Sequence, residues 1–446
     1  MKRGFLTKAN GRIAQRKPPS VGQLPTNAQV QIPEKDAPAG DESMSAQPRE
    51  LEFHFSEVCR LYSENPYIIV ADYRLSSSSC FLYLPSENAG MVFIDSLDSV
   101  QAISTWQVLK EPCRPPPDLP FVIRSSGAKG LGMFATRPIA RGALIMRERP
   151  VYASHPTLSV GSDQKHSFYT SALAGLAPAT QAVIASLRNA QPVTSDVGHI
   201  RGILITNALG AKIPQMPDAP PFAVLFEHLC RANHDCAPNA HYGFCSESFS
   251  GRLFAVRSIA EGEEITIGYT DLTTKRAARR EHLEAKFWFV CECATCSLPP
   301  AHLVESDARR EAIGKYFALM KKGERYPQGA SLDQVKELII WAEEEGLVEA
   351  ASILCISALR LAQRDDNYSE ELKLMVSAMN YIRAIEGNES LGFATLAARV
   401  GLSAEQLAAI LDNGTPETYD YGHFEGLLAS RARGKAMSSN PKLPGN

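Results

Sequence analysis

Apolar and polar positions divide the chain into stretches of different period. Residues 1–50 hold few large apolar side chains among Pro, Gln, Ala and charge. Such a segment cannot bury enough surface to offset its conformational entropy, so it is predicted to be a disordered basic N-terminal tail. Tyr67-Ile68-Ile69-Val70, Cys80-Phe81-Leu82-Tyr83-Leu84 and Met91-Val92-Phe93-Ile94 then read as three short strands, and Ser99 to Lys110 as a helix. Residues 51–118 are thus expected to form a small α+β region, with Cys113-Arg114-Pro115-Pro116-Pro117 as a stiff linker. From Phe121 to Pro150 the pattern is strand, turn, strand, turn, strand, punctuated by Ser126-Gly127-Ala128-Lys129-Gly130 and Ala140-Arg141-Gly142. Residues 155–222 look helical and then proline-rich at Pro214, Pro217, Pro220 and Pro221, an insertion into the β module. Strands resume at Leu253–Ile259 and Glu264–Tyr269 around a turn at Glu261-Gly262.

Beyond about residue 305 the period is helical. Ser331 with Gln334 reads as a capping box and Gly346 as the stop of that helix. Ser369 is expected to start a helix running to Gly387, and Ser403 with Gln406 a third. No repeat period is visible.

Composition narrows the class. The chain has 446 residues, enough for two or three domains, with 44% hydrophobic and 21% charged residues. A net charge of −3 gives no global case for nucleic-acid binding. Neither a secretory apolar run nor a spanning stretch of roughly 18 apolar residues is visible. Ten cysteines, three of them clustered, do not look like a disulfide framework. A reducing intracellular compartment, nucleus or cytoplasm, is expected. Lys2, Arg3, Lys8, Arg12, Arg16 and Lys17 stand in an acid-free start. That pattern suits a flexible tail first, and a nuclear signal or mitochondrial presequence second.

The cysteines carry most of the chemistry. Cys291, Cys293 and Cys296 form a C-x-C-x-x-C run, three thiolates where tetrahedral zinc takes four ligands, so a remote partner is needed. Cys236, in Asn233-His234-Asp235-Cys236-Ala237-Pro238-Asn239, is the candidate fourth. Other motifs are ambiguous when read alone. Lys129-Gly130-Leu131-Gly132 is also what a hairpin glycine pair looks like; His234 and Tyr269 could be packed core residues; Asn207 could simply end a helix.

Taken together and in order, these segments resemble the SET-domain lysine methyltransferases, and most nearly the SET-and-MYND family. There an N-H-x-C-x-P-N segment, a G-E-E-I-x-I-x-Y strand and a C-x-C-x-x-C tail occur in this order. The resemblance implies an α+β fold: a β-rich SET domain over 119–274 with a helical insertion at about 155–222, a zinc-binding post-SET tail over 275–298, and an all-helical C-terminal domain over 305–446. It implies S-adenosylmethionine held by Lys129, Gly130, Leu131, Gly132, Asn207, Asn233, His234, Phe287 and Phe289, and Zn2+ held by Cys236, Cys291, Cys293 and Cys296. Asp235 stands where the family has serine, adding a charge near a cationic sulfonium. Tyr269 would be the catalytic residue, placed by the alternation Ile265, Ile267, Tyr269 on one strand face. A lysine amine has an ordinary pKa of about 10.4, so freeing it at neutral pH costs on the order of 4–5 kcal/mol. A narrow aromatic channel and an adjacent sulfonium both disfavour the ammonium.

The expected partner is a protein presenting a lysine, with no membrane and no direct nucleic-acid binding. Lys275-Arg276-Ala277-Ala278-Arg279-Arg280 reads as a solvated helix face paired with Glu281 and Glu284. Residues 391–411 resemble a helix-turn-helix, but Glu405–Leu411 carries no Arg or Lys. The MYND cysteine module is missing between the SET halves: no cysteine lies between Cys113 and Cys230. A SET scaffold that only binds a partner, or one recruited to small-molecule chemistry, are the alternatives. Retention of all the motifs argues against the first.

Overall fold

The structure is a computed structural model. It describes residues 68–71, 79–84, 91–96 and 103–412, with gaps at 104–105, 111–112, 114, 156–168, 170–171, 174–175, 193–197, 214–220, 321–322 and 400–401. The expectation of disorder over 1–50 and the end of the helical region beyond 412 lie outside these residues, as does half of the helix expected over Ser99–Lys110; of the rest, Gln107–Lys110 form a 3-10 turn.

Thirteen strands among the described residues form three sheets. β1 (Ile68–Ala71), β2 (Ser79–Leu84), β3 (Met91–Ser96), β7 (Tyr152–Ser154), β9 (Phe222–Leu225) and β8 (Leu209–Ala211) make a six-stranded sheet in that order. β10 (Asn233–His234), β13 (Glu264–Ile267), β5 (Leu131–Ala135) and β4 (Phe121–Ser125) make a four-stranded sheet. β11 (Ala240–Cys245), β12 (Ser250–Ala255) and β6 (Leu144–Glu148) make the third. The strand expectations near 67–94 and 121–150 match these positions. The N-terminal region is not a unit of its own, however: β3 pairs in parallel with β7, with Val92 opposite Tyr152, so it extends a sheet of the β module. Its buried residues Val92 and Phe93 share one core with Tyr152, Phe222 and Val224. The insertion also differs from expectation. Its described residues include the helices α1 (Pro178–Ala185) and α2 (His199–Asn207), but the chain returns through β8 and β9, which pair antiparallel.

The C-terminal part is helical, as the apolar period predicts. After α3 (Arg276–Phe287) come α4 (Pro300–Leu319), α5 (Leu332–Glu344), α6 (Val348–Arg364), α7 (Tyr368–Glu386), α8 (Leu391–Arg399) and α9 (Ala404–Asp412). The Ser331 hydroxyl accepts from Gln334 N, and Gly346 has φ +67° just past the α5 stop. α7 starts differently from expectation: Asn367, not Ser369, is its cap, accepting from Glu370 N at 3.3 Å. Ser403 and Gln406 form a reciprocal capping box. The helix-turn-helix-like pair α8–α9 buries Phe393, Ala397 and Leu407 in the helical core, which makes it an αα-hairpin of that core. No helix of the described residues is long and apolar enough to cross a membrane.

The helices are tied to the sheets by one buried cation. Arg310 of α4 is fully buried. Its Nε donates to Glu345 Oε2 at 2.8 Å, and its Nη atoms donate to Glu345 O, Leu272 O and Cys236 O at 3.0, 2.7 and 3.1 Å. Breaking a buried pair leaves a desolvated charge, so Arg310→Met should lower unfolding free energy by about 3–5 kcal/mol. Arg309→Met, on the partly exposed neighbour, should cost under about 1 kcal/mol. Denaturant titration of both variants checks this; equal, small changes would contradict it.

Candidate active site

The connection from β4 to β5 is folded by two glycines in the left-handed region, Gly127 at φ +62° and Gly130 at φ +85°. Ser126 N donates to Gly130 O at 2.7 Å, closing the loop into a compact turn. This loop walls one side of a cavity of about 790 Å³, within the range of small-molecule sites. The cavity is also lined by Asn233 and His234 of β10, Asn207 at the end of α2, Tyr269, Phe287 and Phe289. Of the residues expected to hold a cofactor, Lys129, Gly130, Leu131, Asn207, Asn233, His234, Phe287 and Phe289 all line this one cavity. Gly132 does not. It lies within β5, where a Cβ would stand 2.5 Å from Glu264 Oε1 and 2.9 Å from Asn233 Nδ2. A side chain there would collide with that glutamate and that asparagine.

β10 is only two residues long, and its parallel pairing sets Asn233 opposite Thr266 and His234 opposite Ile267. The Asn233 amide donates to Glu264 Oε1 at 2.7 Å and to Leu131 O at 3.2 Å. His234 is 4% exposed, and burial pushes its imidazole down to about 3, so the ring is neutral. Its Nδ1 accepts from Tyr269 N at 3.0 Å, which puts the ring proton on Nε2, 3.4 Å from Cys236 Sγ. Asn207 is fixed by two donations from its amide, to Arg188 O and Ile203 O, each at 2.8 Å. Asp235 lines neither this cavity nor the second one described below. Burial raises its carboxyl to about 6, while Oδ1 accepts from Ala237 N at 2.8 Å, so it shapes the turn into Cys236.

β13 ends at Ile267, so Tyr269 lies two residues beyond the strand and not on its face as the alternation predicts. The ring is buried all the same, packed against His234 and Phe287 at centroid distances of 5.4 and 5.1 Å. Its hydroxyl donates to Ala232 O at 2.7 Å. A hydroxyl has one proton, so towards any other group this oxygen can only accept. Gly268 and Thr270, on either side of Tyr269, line a second cavity of about 490 Å³. Asp271, His241 and Glu349, with Phe317 and Ile353 from α4 and α6, complete it. Tyr269 therefore sits in the segment between the two cavities.

The four expected cysteines converge, with their sulfurs all within 4.8 Å of one another. Cys236 Sγ is 3.6 Å from Cys296 Sγ and 4.0 Å from Cys291 Sγ. Four sulfurs at about 2.3 Å around a tetrahedral zinc would stand about 3.8 Å apart, so the donor set fits that ion. None of the four is in a disulfide. Trp288, left-handed at φ 58°, ends α3 and turns the chain so that Phe289 reaches within 6.2 Å of the His234 ring. Cys291 follows two residues later.

The basic run of α3 is not the solvated face expected from its sequence. Arg279 is fully buried, donating from Nε to Cys236 Sγ at 3.2 Å, from Nη2 towards Cys296 Sγ at 3.9 Å, and to Thr274 O. Arg276 donates to Cys296 O at 3.3 Å and Arg280 to Cys291 O at 2.9 Å. The spacing of 276, 279 and 280 puts all three on one helix face, a signal present in the sequence that was read as solvent pairing. Glu264 and Arg310 were also missed. Glu264 lies in the G-E-E-I-x-I-x-Y strand and Arg310 in no motif, and each gains its contacts only through partners distant in the chain.

Residues 130–270 match the family model of the SET domain, so the chain carries a SET domain. Over 264 residues, or 59% of this chain and 77% of the relative, it is 28% identical to the "Histone-lysine N-methyltransferase set5" of Schizosaccharomyces pombe. Over 64 residues it is 41% identical to the "Histone-lysine N-methyltransferase ATXR4" of Arabidopsis thaliana, covering 14% of this chain and 19% of that protein. With the SMYD3 histone-lysine N-methyltransferase of Mus musculus it shares 39% of 75 residues, 16% of each chain. The last two matches span less than a fifth of those relatives' length.

Proposed function

We propose that this SET-domain chain is an S-adenosylmethionine-dependent N-methyltransferase acting on lysine side chains of proteins, with a structural zinc at Cys236, Cys291, Cys293 and Cys296. The observation that carries the reading is the convergence of eight expected ligand-binding residues and Tyr269, from well-separated segments, on one cavity. The relatives named histone-lysine methyltransferases support the same class of reaction.

S-adenosylmethionine would supply an electrophilic methyl group on a cationic sulfur. Phe289 and Phe287 offer aromatic faces at one side of the cavity, suited to a flat base. Asn207, whose amide nitrogen is already committed, would accept from the cofactor's amino group through its carbonyl oxygen. The glycines of the 127–130 loop and the short strand β10 present backbone groups without side-chain obstruction.

The target lysine would enter from the second cavity, past Gly268 and Thr270, with Asp271 and Glu349 favouring basic flanking residues. A lysine passing between buried rings is desolvated and loses its proton more readily. The Tyr269 oxygen, restricted to accepting, then takes an N–H of the neutral amine and points its lone pair at the methyl carbon. Bound there, S-adenosylmethionine would supply the methyl carbon, its S–C bond breaking as the N–C bond forms, and the amine's surplus proton would leave to solvent. No covalent enzyme intermediate is needed; positioning and electrostatics provide the rate.

Removing one hydroxyl should test the catalytic role. Tyr269→Phe should keep its melting temperature and cofactor affinity while turnover falls on the order of 10²-fold or more, the scale of losing one positioned polar group. Unchanged turnover would remove Tyr269 from the mechanism.

The metal reading has its own readout. Purified protein should carry about one zinc per chain, and Cys293→Ser should lose it along with cofactor binding, because the ligands hold two walls of the cavity. Elemental analysis with cofactor titration decides this. Full cofactor affinity in metal-free wild-type protein would contradict it.

A further inference from the structure

We propose that Glu264 is a positioning residue for the cofactor cavity, its carboxylate clamping the 126–131 loop to the Asn233-His234 strand. Three donors converge on it. Oε1 accepts from Ser126 Oγ at 2.7 Å and Asn233 Nδ2 at 2.7 Å, and Oε2 from Lys129 Nζ at 2.9 Å. Two come from the loop and one from the strand, segments about a hundred residues apart that both line the cavity and touch through the Asn233–Leu131 hydrogen bond. Glu264 does not itself line the cavity. It stands behind the wall and acts through residues that do.

Gly132 gives the independent observation. Any Cβ there would stand 2.5 Å from Glu264 Oε1, well inside contact distance, so the second glycine of the loop motif exists to seat this carboxylate. Burial opposes ionisation of Glu264, but the hydrogen bonds from Asn233, Ser126 and Lys129 outweigh it and hold the carboxyl below its usual range. The adjacent Glu263 serves a different purpose: its Oε1 accepts from Arg257 at 2.6 Å and Asn239 at 2.9 Å, bracing the turn before β13. The two glutamates look equivalent in the sequence, yet only Glu264 reaches the cavity wall.

The clamp has a defined consequence for binding. The Lys129 side chain is half-exposed, and its ion pair with Glu264 ties the loop to β13. With the Asn233 amide also held, the backbone of β10 and the loop keep a fixed separation before any ligand arrives. That preorganisation lowers the ordering cost of binding. Loss of the clamp should therefore weaken ground-state cofactor binding more than it slows transfer from the saturated enzyme.

This inference rests on the cofactor reading above, and the test separates the two. S-adenosylhomocysteine is titrated calorimetrically into the full chain as wild type, Glu264→Gln, Glu264→Ala, Gly132→Ala and the Gly132→Ala/Glu264→Ala double variant, with melting curves alongside. Glu264→Gln keeps the shape but loses the charge and one acceptor, and should weaken binding about tenfold or more, with turnover at saturating cofactor largely kept. Gly132→Ala should weaken binding in the native background and weaken it less in the Glu264→Ala background, where the closer clash, with the carboxylate, is relieved and the one with Asn233 Nδ2 remains. Should the Glu264 variants fail to fold, Ser126→Ala, which removes a single donor, should still weaken binding by a few fold. Native affinity in Glu264→Gln, or in Ser126→Ala where that variant decides, would overturn the clamp, as would an equal Gly132→Ala penalty in both backgrounds. Wild-type protein that binds no S-adenosylhomocysteine would overturn the cofactor reading, and the clamp with it.

Discussion

The structure depends on four cysteine sulfurs gathered beneath one buried guanidinium. Cys236 stands two residues after His234, and Cys291 two residues after Phe289, so closing the cluster closes two walls of the main cavity. Four thiolates around a dication would carry a net charge of about −2 in a buried place, a costly arrangement without compensation. Arg279 answers it directly with N–H groups aimed at Cys236 and Cys296. Arg276, Arg280 and Arg310 bind backbone carbonyls of the same cysteines. Through Arg310 and its partner Glu345, the helical region is anchored to this centre as well. The cluster is thus a joint for three parts of the chain, and the cavity is its consequence.

Around that joint, polar groups are committed in a way that leaves each with one direction of use. His234 is neutral, receiving from Tyr269 N and presenting its Nε2 proton to Cys236. Tyr269 gives its proton to Ala232 O and has only lone pairs left. Asn207 and Asn233 have their amide nitrogens occupied by protein acceptors. A site so arranged accepts hydrogen bonds near Tyr269 and lets a cationic side chain in only by stripping its water. Such a site selects for an amine that can shed a proton.

Local signals made much of this legible. The β4, β5 and β6 strands, the αL glycines between them and the cysteine spacing all follow from short-range rules, and the structure places them where the pattern does. What was not legible depends on pairing at a distance. β10 is two residues long and pairs in parallel with β13 across some thirty residues, so neither length nor alternation announces it. The N-terminal strands have an ordinary alternating pattern and say nothing of β7, the strand that β3 joins. Arg279 looks solvent-facing in sequence because it lies in a run interleaved with Glu281 and Glu284, with Glu284 four residues after Arg280; only the fold shows that its face of α3 meets sulfur. Gly132 belongs to a motif associated with ligand approach, yet its neighbour is Glu264. Tyr269 keeps the burial that alternation predicts although the strand has already ended, because the Tyr269 N to His234 Nδ1 bond takes over from the ladder.

The central claim is that the cavity lined by Tyr269 is where a methyl group passes from S-adenosylmethionine to a protein lysine. The most direct test is transfer of an isotope-labelled methyl group from S-adenosylmethionine to proteins of a cell extract, with the modified residue identified by mass spectrometry. The account predicts labelled lysine side chains that depend on the enzyme. Transfer to no protein, or to residues other than lysine, would contradict it.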